Sequence, residues 1–248
     1  MKRFWNAFWM CYGMFTALPC PWRHWDEGAR DLMLVCLPIV GTLLGVLWTA
    51  LAALGMVWLT PSLQAALIAA LPWLLTGFIH LDGYMDTCDA ILSWRPLEQR
   101  LRILKDVHTG AFAVVGLGLL MMFSYAAAFD LEWINLQALI FVPVISRCGS
   151  AFCVLTLKPI GHSEYAKTRG KRAHRIAVAV MWLIAVIICA VWLGKPTTAL
   201  LIETIVYAVA MAWAYHTLHG ISGDVAGFAL SIAECAGLIA LSGIHFFP

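Results

Sequence analysis

The sequence predicts an all-α, polytopic integral membrane bundle of about seven transmembrane helices, preceded by an N-terminal interfacial or re-entrant helix. Three observations carry that prediction. Of the 248 residues, 62% are hydrophobic and the mean hydropathy is +0.84, where soluble domains are roughly half apolar. Only 12% are charged, too few to give a water-soluble core of this size its polar surface. The apolar residues also run continuously rather than in alternating ten-residue stretches. Lipid forces the backbone to satisfy itself, so long runs select helices over a barrel.

Lys2 and Arg3, followed by the apolar residues 4–18, have the outline of a secretory signal. No small-x-small cleavage site follows, and Ala17-Leu18-Pro19-Cys20 lacks the small residues a lipoprotein signal places before its cysteine. The stretch is therefore predicted to lie at the interface or to re-enter it. A crossing takes about 20 apolar residues. Residues 34–59, 63–81, 111–129, 134–157, 176–194, 199–217 and 225–247 meet that length within a few positions. The first carries Pro38, Gly41 and Gly45 and is predicted to be broken or tilted. No soluble domain, low-complexity stretch or internal repeat is visible, so 1–248 reads as a single membrane domain.

Lysine and arginine set the orientation. Lys2, Arg3, Arg23 and Arg30 precede the first span. Arg95, Arg100, Arg102 and Lys105 fall in the 80–110 segment, and Lys158, Lys167, Arg169, Lys171, Arg172 and Arg175 fall in or beside 158–175. These share one side, while the other has Lys195 and Arg147 lies within a span. The N-terminus, the 80–110 and 158–175 loops and the 218–224 link are thus predicted cytoplasmic, in a cell inner membrane, with Pro248 outside. The net charge of +2 argues against a nucleic-acid surface. None of the eight cysteines forms a Cys-x-x-Cys pair, and several lie in apolar runs, so most are expected to be small buried apolar residues.

His80-Leu81-Asp82-Gly83-Tyr84-Met85-Asp86-Thr87-Cys88-Asp89 ends one span and enters the large loop. Asp82, Asp86 and Asp89 at i, i+4 and i+7 fall within roughly 60° of arc on one helix face. Three like charges there are costly without a cation. Oxygen donors suit Mg²⁺, which binds through one or two carboxylates plus water and substrate phosphate. The alternative is that these aspartates cap helices. His80 and His108 flank the cluster as hydrogen-bond partners rather than metal ligands. Leu97-Glu98-Gln99-Arg100-Leu101-Arg102 begins an amphipathic interfacial helix, and Lys105-Asp106 at its end either anchors it or reaches the site. Arg147, inside an apolar run, should face a polar cavity or an anion, unless Glu234 or Glu203 pairs with it. His219-Gly220-Ile221-Ser222-Gly223-Asp224 is either a glycine-rich turn approaching phosphate or a simple cap. The basic 158–175 loop is a topology signal, or it binds an anionic substrate. No GxSxG, Walker A or HExxH pattern occurs.

His80-Leu81-Asp82-Gly83-x-x-Asp86-Thr87-x-Asp89, followed by Lys105-Asp106-x-x-x-Gly110-Ala111-Phe112, resembles the cobalamin synthase (adenosylcobinamide-GDP ribazoletransferase) family. Leu18-Pro19-Cys20-Pro21, Pro38-Ile39-Val40-Gly41, Ser146-Arg147, Tyr165-Ala166-Lys167, Gly220-Ile221-Ser222-Gly223-Asp224 and Glu234 extend the likeness along the chain in order. Departures are Ala90, Val107-His108, Thr168-Arg169, His216 and His219.

The resemblance implies a Mg²⁺-dependent phosphotransferase of cobalamin biosynthesis. Its substrates would be adenosylcobinamide-GDP and α-ribazole or α-ribazole 5′-phosphate, with GMP released as a phosphodiester forms. Asp82, Asp86 and Asp89 would be catalytic and metal-binding. His80, Lys105, Asp106, Arg147, Lys167, Gly223 and Asp224 would contact substrate. The lipid bilayer is the implied environment, and a homo-oligomer is compatible with it. Two other readings are a cation or metabolite transporter, which would put its charges near mid-bilayer, and a CDP-alcohol phosphotransferase, whose Asp-Gly-x-x-Ala-Arg run is missing here.

Overall fold

The structure, a computed structural model, describes residues 2–22, 24–160 and 172–243. Among them are ten α-helices: α1 (Lys2–Phe15), α2 (Arg30–Trp58), α3 (Pro61–Leu75), α4 (Ile79–Leu92), α5 (Leu97–Ile103), α6 (Ala111–Phe129), α7 (Val142–Thr156), α8 (Arg172–Trp192), α9 (Thr197–Leu218) and α10 (Gly223–Ser242). Short 3₁₀ segments precede α2 (Glu27–Ala29) and α7 (Trp133–Ile140). Six helical stretches are long and apolar enough to cross a membrane, or seven with the bent pair α3–α4 counted as one span, in line with the about seven expected.

The second expected span departs from a straight crossing of 63–81. Pro72 interrupts the donors of α3, and Thr76 turns its hydroxyl back to the Pro72 carbonyl at 2.7 Å. Gly77 and Phe78 then take positive φ of 61° and 64°, conformations that end a right-handed helix. The chain leaves at 91° as α4. Much of the expected 80–110 loop is thus helix. The first expected span also differs, since α2 runs unbroken through Pro38. At 29 residues it is longer than the hydrocarbon layer needs, which leaves room for tilt. The final expected span ends at Ser242, and Pro248 lies outside the described residues.

Helix α10 is the axis of the bundle. It packs against α4, α6, α7 and α9, and 83% of its apolar window is buried, against 17% for α8. The difference follows from side-chain size. Helix α10 is rich in Gly, Ala and Ser, including Ala226, Gly227, Ala229, Ser231, Ala233 and Gly237, which let neighbouring backbones come close. Helix α8 instead presents Ile176, Val180, Leu183, Ile184, Ile187 and Ile188 outward, a face that lipid solvates. All eight cysteines are free thiols, six of them buried, as expected of small apolar fillers.

Backbone pairings gather the polar elements at one end of this bundle. Ala17 N–H donates to Leu75 O at 2.9 Å, joining the segment after α1 to the end of α3. Ile160 N–H donates to Ile221 O, and Ile221 N–H to Lys158 O, both at 2.9 Å. The chain leaving α7 is thereby paired with the α9–α10 link.

Candidate functional site

The α4–α10 crossing builds the site. A Cβ placed on Gly83 would lie 2.6 Å from Asp224 Cα, and one on Gly227 would lie 3.0 Å from the His80 carbonyl oxygen. Two glycines on opposite helices therefore allow a backbone contact that larger residues forbid. Ser231 Oγ donates to the same His80 carbonyl at 3.4 Å. The contact sets Asp224 of α10 beside Asp82 and Asp86, which stand one turn apart on α4. The carboxylates of Asp82, Asp224 and Asp89 each act electrostatically on Asp86, and Asp82 also acts on Asp224.

Gly83→Ala should force the helices apart. The expected cost is about 1–3 kcal/mol, the usual range for overpacking, with a larger proportional loss of turnover because the carboxylates separate. Detergent-titrated unfolding and product formation, measured on one preparation, check both parts.

Exposure falls along the aspartate face. Asp82 is exposed, Asp86 half-buried and Asp89 buried. Asp89 departs from the arrangement expected of a third metal ligand. Its Oδ2 accepts from Gly110 N–H at 2.6 Å and its Oδ1 from Ala113 N–H at 2.9 Å. Those N–H groups belong to the start of α6, where a helix leaves donors unsatisfied and favours negative charge. A carboxylate 21 positions earlier thus caps α6 and pins α4 to it. Among the described residues no three His, Cys, Asp or Glu side chains are drawn together at metal-holding distance. No lysine or arginine among them pairs with Asp82 or Asp86.

A cavity of about 360 Å³ opens at the start of α10. Phe15, His80, Ser150, Ser222, Gly223 and Asp224 contribute to its walls. The His80 ring stacks on Phe15, with centroids 5.8 Å apart and planes 11° from parallel. His80 Nε2 is buried without a hydrogen-bond partner, an arrangement that favours a ligand or water supplying one. Ser222 is the N-cap of α10. Its Oγ accepts from Val225 N–H at 3.3 Å and donates to Asp224 Oδ2 at 3.2 Å. The first turn of α10 contributes Gly223 and Asp224 to the cavity wall, and a helix start favours anions. Of the two readings of this link, the structure contains both a cap and an anion-favouring turn, and the cap is Ser222 rather than Asp224.

Other expected residues are not brought here. Arg147 is 1% exposed, and its Nη1 donates to Glu234 Oε1 at 2.5 Å, Pro143 O at 3.2 Å and Ser146 Oγ at 3.2 Å. Ser146 Oγ reaches the same Glu234 oxygen at 2.8 Å. Of the two expectations for Arg147, the structure contains the ion pair: the guanidinium is a buried partner of Glu234. Lys105 is exposed on the connection between α5 and α6. The Asp106 carboxylate faces His108, accepting from its backbone N–H at 3.0 Å and pairing with ring Nδ1 at 2.7 Å. That ring and N–H hold the Asp106 carboxyl below the usual carboxylate range. Lys167 lies outside the described residues. Helix α5 docks against the end of α9, with Arg100 Nη1 donating to Thr217 O at 3.5 Å.

The sequence reading missed Phe15, Ser150, Ser222 and Gly227. Ser222, directly before Gly223 and a long apolar run, carried a recognisable capping signal. The other three depend on which helices meet.

The comparisons with known proteins agree with one another. The family profile described as cobalamin-5-phosphate synthase matches residues 7–242. The adenosylcobinamide-GDP ribazoletransferase of Clostridium perfringens strain SM101 is 34% identical over 248 residues, covering 97% of this chain and 99% of its own. That of Clostridium botulinum strain Alaska E43 is 36% identical over 245 residues, covering 96% and 97%. That of Lachnoclostridium phytofermentans is 31% identical, covering 94% and 92%. No solved structure matches.

Proposed function

The chain belongs to the cobalamin-5-phosphate synthase family and carries out the ribazole transfer that assembles the cobalamin nucleotide loop, and from that premise we propose how its residues divide the work. Membership decides against the transporter and CDP-alcohol phosphotransferase readings. The donor is adenosylcobinamide-GDP. A ribose hydroxyl of α-ribazole, or of its 5′-phosphate, attacks the phosphorus nearest the cobinamide. One P–O bond forms, the diphosphate P–O bond breaks, and GMP leaves.

Asp82 and Asp86 fit a hard divalent cation: they are neighbouring carboxylates, crowded by Asp224, with no basic partner among the described residues. We assign Mg²⁺ to them. The ion would neutralise charge on the diphosphate and its leaving phosphate. Asp224, in the cavity wall, is the carboxylate placed to accept the proton of the ribose hydroxyl. Ser222 holds it in orientation. First-turn N–H groups at Gly223 and Asp224 receive phosphate oxygens. His80 Nε2, walled in and lacking a partner, supplies a hydrogen bond to the bound substrate. Asp89 positions α4 through α6, and Lys105, on the same end, adds positive charge for the incoming anion. The excess of Lys and Arg on that end supports a cytoplasmic site in the inner membrane.

One observation carries this reading: the Gly83–Asp224 contact, which joins two distant acidic segments in a single group. The test is reconstituted protein given adenosylcobinamide-GDP and α-ribazole, with GMP and cobalamin quantified. Chelation should reduce turnover to background and added Mg²⁺ should restore it. Turnover indifferent to chelation would overturn the metal assignment.

A further inference from the structure

A second cavity, of about 390 Å³, lies beside the first. It forms where residues 16–22 and 24–26 lie over α1. Cys20 Sγ donates to Trp22 O at 3.1 Å, Asp26 N–H donates to Met10 Sδ at 3.4 Å, and Asn6 Nδ2 donates to Asp26 Oδ2 at 2.8 Å. Trp9, Trp22, Trp25, Met10, Thr16 and His24 are among its walls. Met14 lines both cavities. The next residue, Phe15, stacks on His80 in the reacting cavity. The two cavities therefore share the Met14 side chain as a common wall.

The lining selects a ligand class. Indole faces and thioethers favour a flat, polarisable ring. The described lining contains no carboxylate. Guanine presents paired N–H donors that a carboxylate meets best, whereas the acceptors beside this lining are the Trp9 and Trp22 carbonyls, both already facing the Cys20 thiol. A dimethylbenzimidazole, the base of α-ribazole, has methylated apolar edges and one free acceptor nitrogen. The Thr16 hydroxyl is spent on Tyr12 O at 2.8 Å, which leaves the His24 ring as the donor for that single nitrogen. A nucleoside seated this way sends its ribose past Met14 toward Asp224.

We infer that the pocket between α1 and the described residues Thr16–Trp22 and His24–Trp25 holds the aromatic base of α-ribazole, stacked on tryptophan, and so determines which base is incorporated. The inference rests on ribazole transfer being the reaction. It assigns a task to the N-terminal helix beyond anchoring.

The test separates the two substrates. Initial rates are measured on reconstituted protein while each substrate is varied in turn, for Trp9→Leu, Trp22→Leu, Trp22→Phe and, as a control outside the lining, Trp5→Leu. Base–aromatic stacking energies correspond to a rise of roughly tenfold in the KM for α-ribazole in each pocket leucine variant. Trp22→Phe should fall between wild type and Trp22→Leu, and Trp5→Leu should match wild type. The KM for adenosylcobinamide-GDP should stay within about twofold. Equilibrium dialysis of α-ribazole alone should show the same ranking, a readout independent of turnover.

Unchanged α-ribazole binding would overturn the assignment. So would a rise confined to adenosylcobinamide-GDP, which would place guanine here, or an equal rise for both substrates, which marks a folding or membrane-docking defect. A wild-type protein that binds α-ribazole but forms no product would fault the reaction reading and leave the pocket standing.

Discussion

Asp86→Asn is expected to lower the turnover number at least a thousandfold, about 4 kcal/mol of transition-state stabilisation, with membrane insertion and unfolding behaviour unchanged. The substitution keeps the shape of the side chain and removes its charge. Asp86 is half-buried and surrounded by other carboxylates. Neutralising it relieves repulsion in the resting protein, so folding gives no reason for the loss. What disappears is the anionic pair that can hold a cation against a diphosphate, and phosphoryl transfer depends mainly on such charge neutralisation and positioning. Asp89→Asn gives the contrast. There one of the two N–H bonds at the start of α6 is lost, so stability should fall along with activity, by about 1 kcal/mol as for a lost helix cap. Insertion assays, unfolding curves and GMP release on the two variants separate these outcomes. An Asp86→Asn enzyme turning over at the wild-type rate would remove the basis for the metal site.

The largest effect on stability is expected from splitting the Arg147–Glu234 pair. Both groups lie in the bundle interior, joined at 2.5 Å, with Ser146 bridging. Removing one partner strands the other as a buried charge, typically at a cost of 3–5 kcal/mol. Arg147→Met and Glu234→Met should each destabilise the detergent-solubilised protein by about that amount. The double variant should recover part of it, since an apolar pair replaces the two charges, while Glu203, buried nearby with neither oxygen hydrogen-bonded, still loses the guanidinium. Unfolding measured across the four proteins closes the cycle. If Arg147→Met instead left stability intact and raised the KM for adenosylcobinamide-GDP, the guanidinium would have to be returned to substrate binding.

Much of this protein was legible before its coordinates. Apolar run length is set by bilayer thickness, so the number of spans could be counted. The spacing of Asp82 and Asp86 is a property of one helix and needed no partner to be seen. What escaped depends on contacts between distant segments. Asp89 meets its N–H partners at positions 110 and 113, and nothing local distinguishes such a capping carboxylate from a ligand. The break after Leu75 was marked by Pro72 and Gly77, yet the hydropathy around them continues evenly and masks it. For Arg147 both readings were open in the sequence. Glu234 decided between them, by crossing from another helix at a separation of 87 residues. Phe15 entered the site only because α1 folds against the α4 end of the bundle.

The abrupt end of α3 has a consequence for how a bulky soluble donor meets an embedded catalyst. Fifteen residues rise only about 22 Å, some 8 Å short of a hydrocarbon layer of about 30 Å. Were Pro61 to mark the far boundary, the sharp turn at 76–78 would fall short of the near headgroups. On the proposed assignment, the reacting centre would then be the floor of a shallow well. A corrinoid ring can remain afloat in the headgroup layer while its side arm alone is lowered to meet the incoming nucleoside.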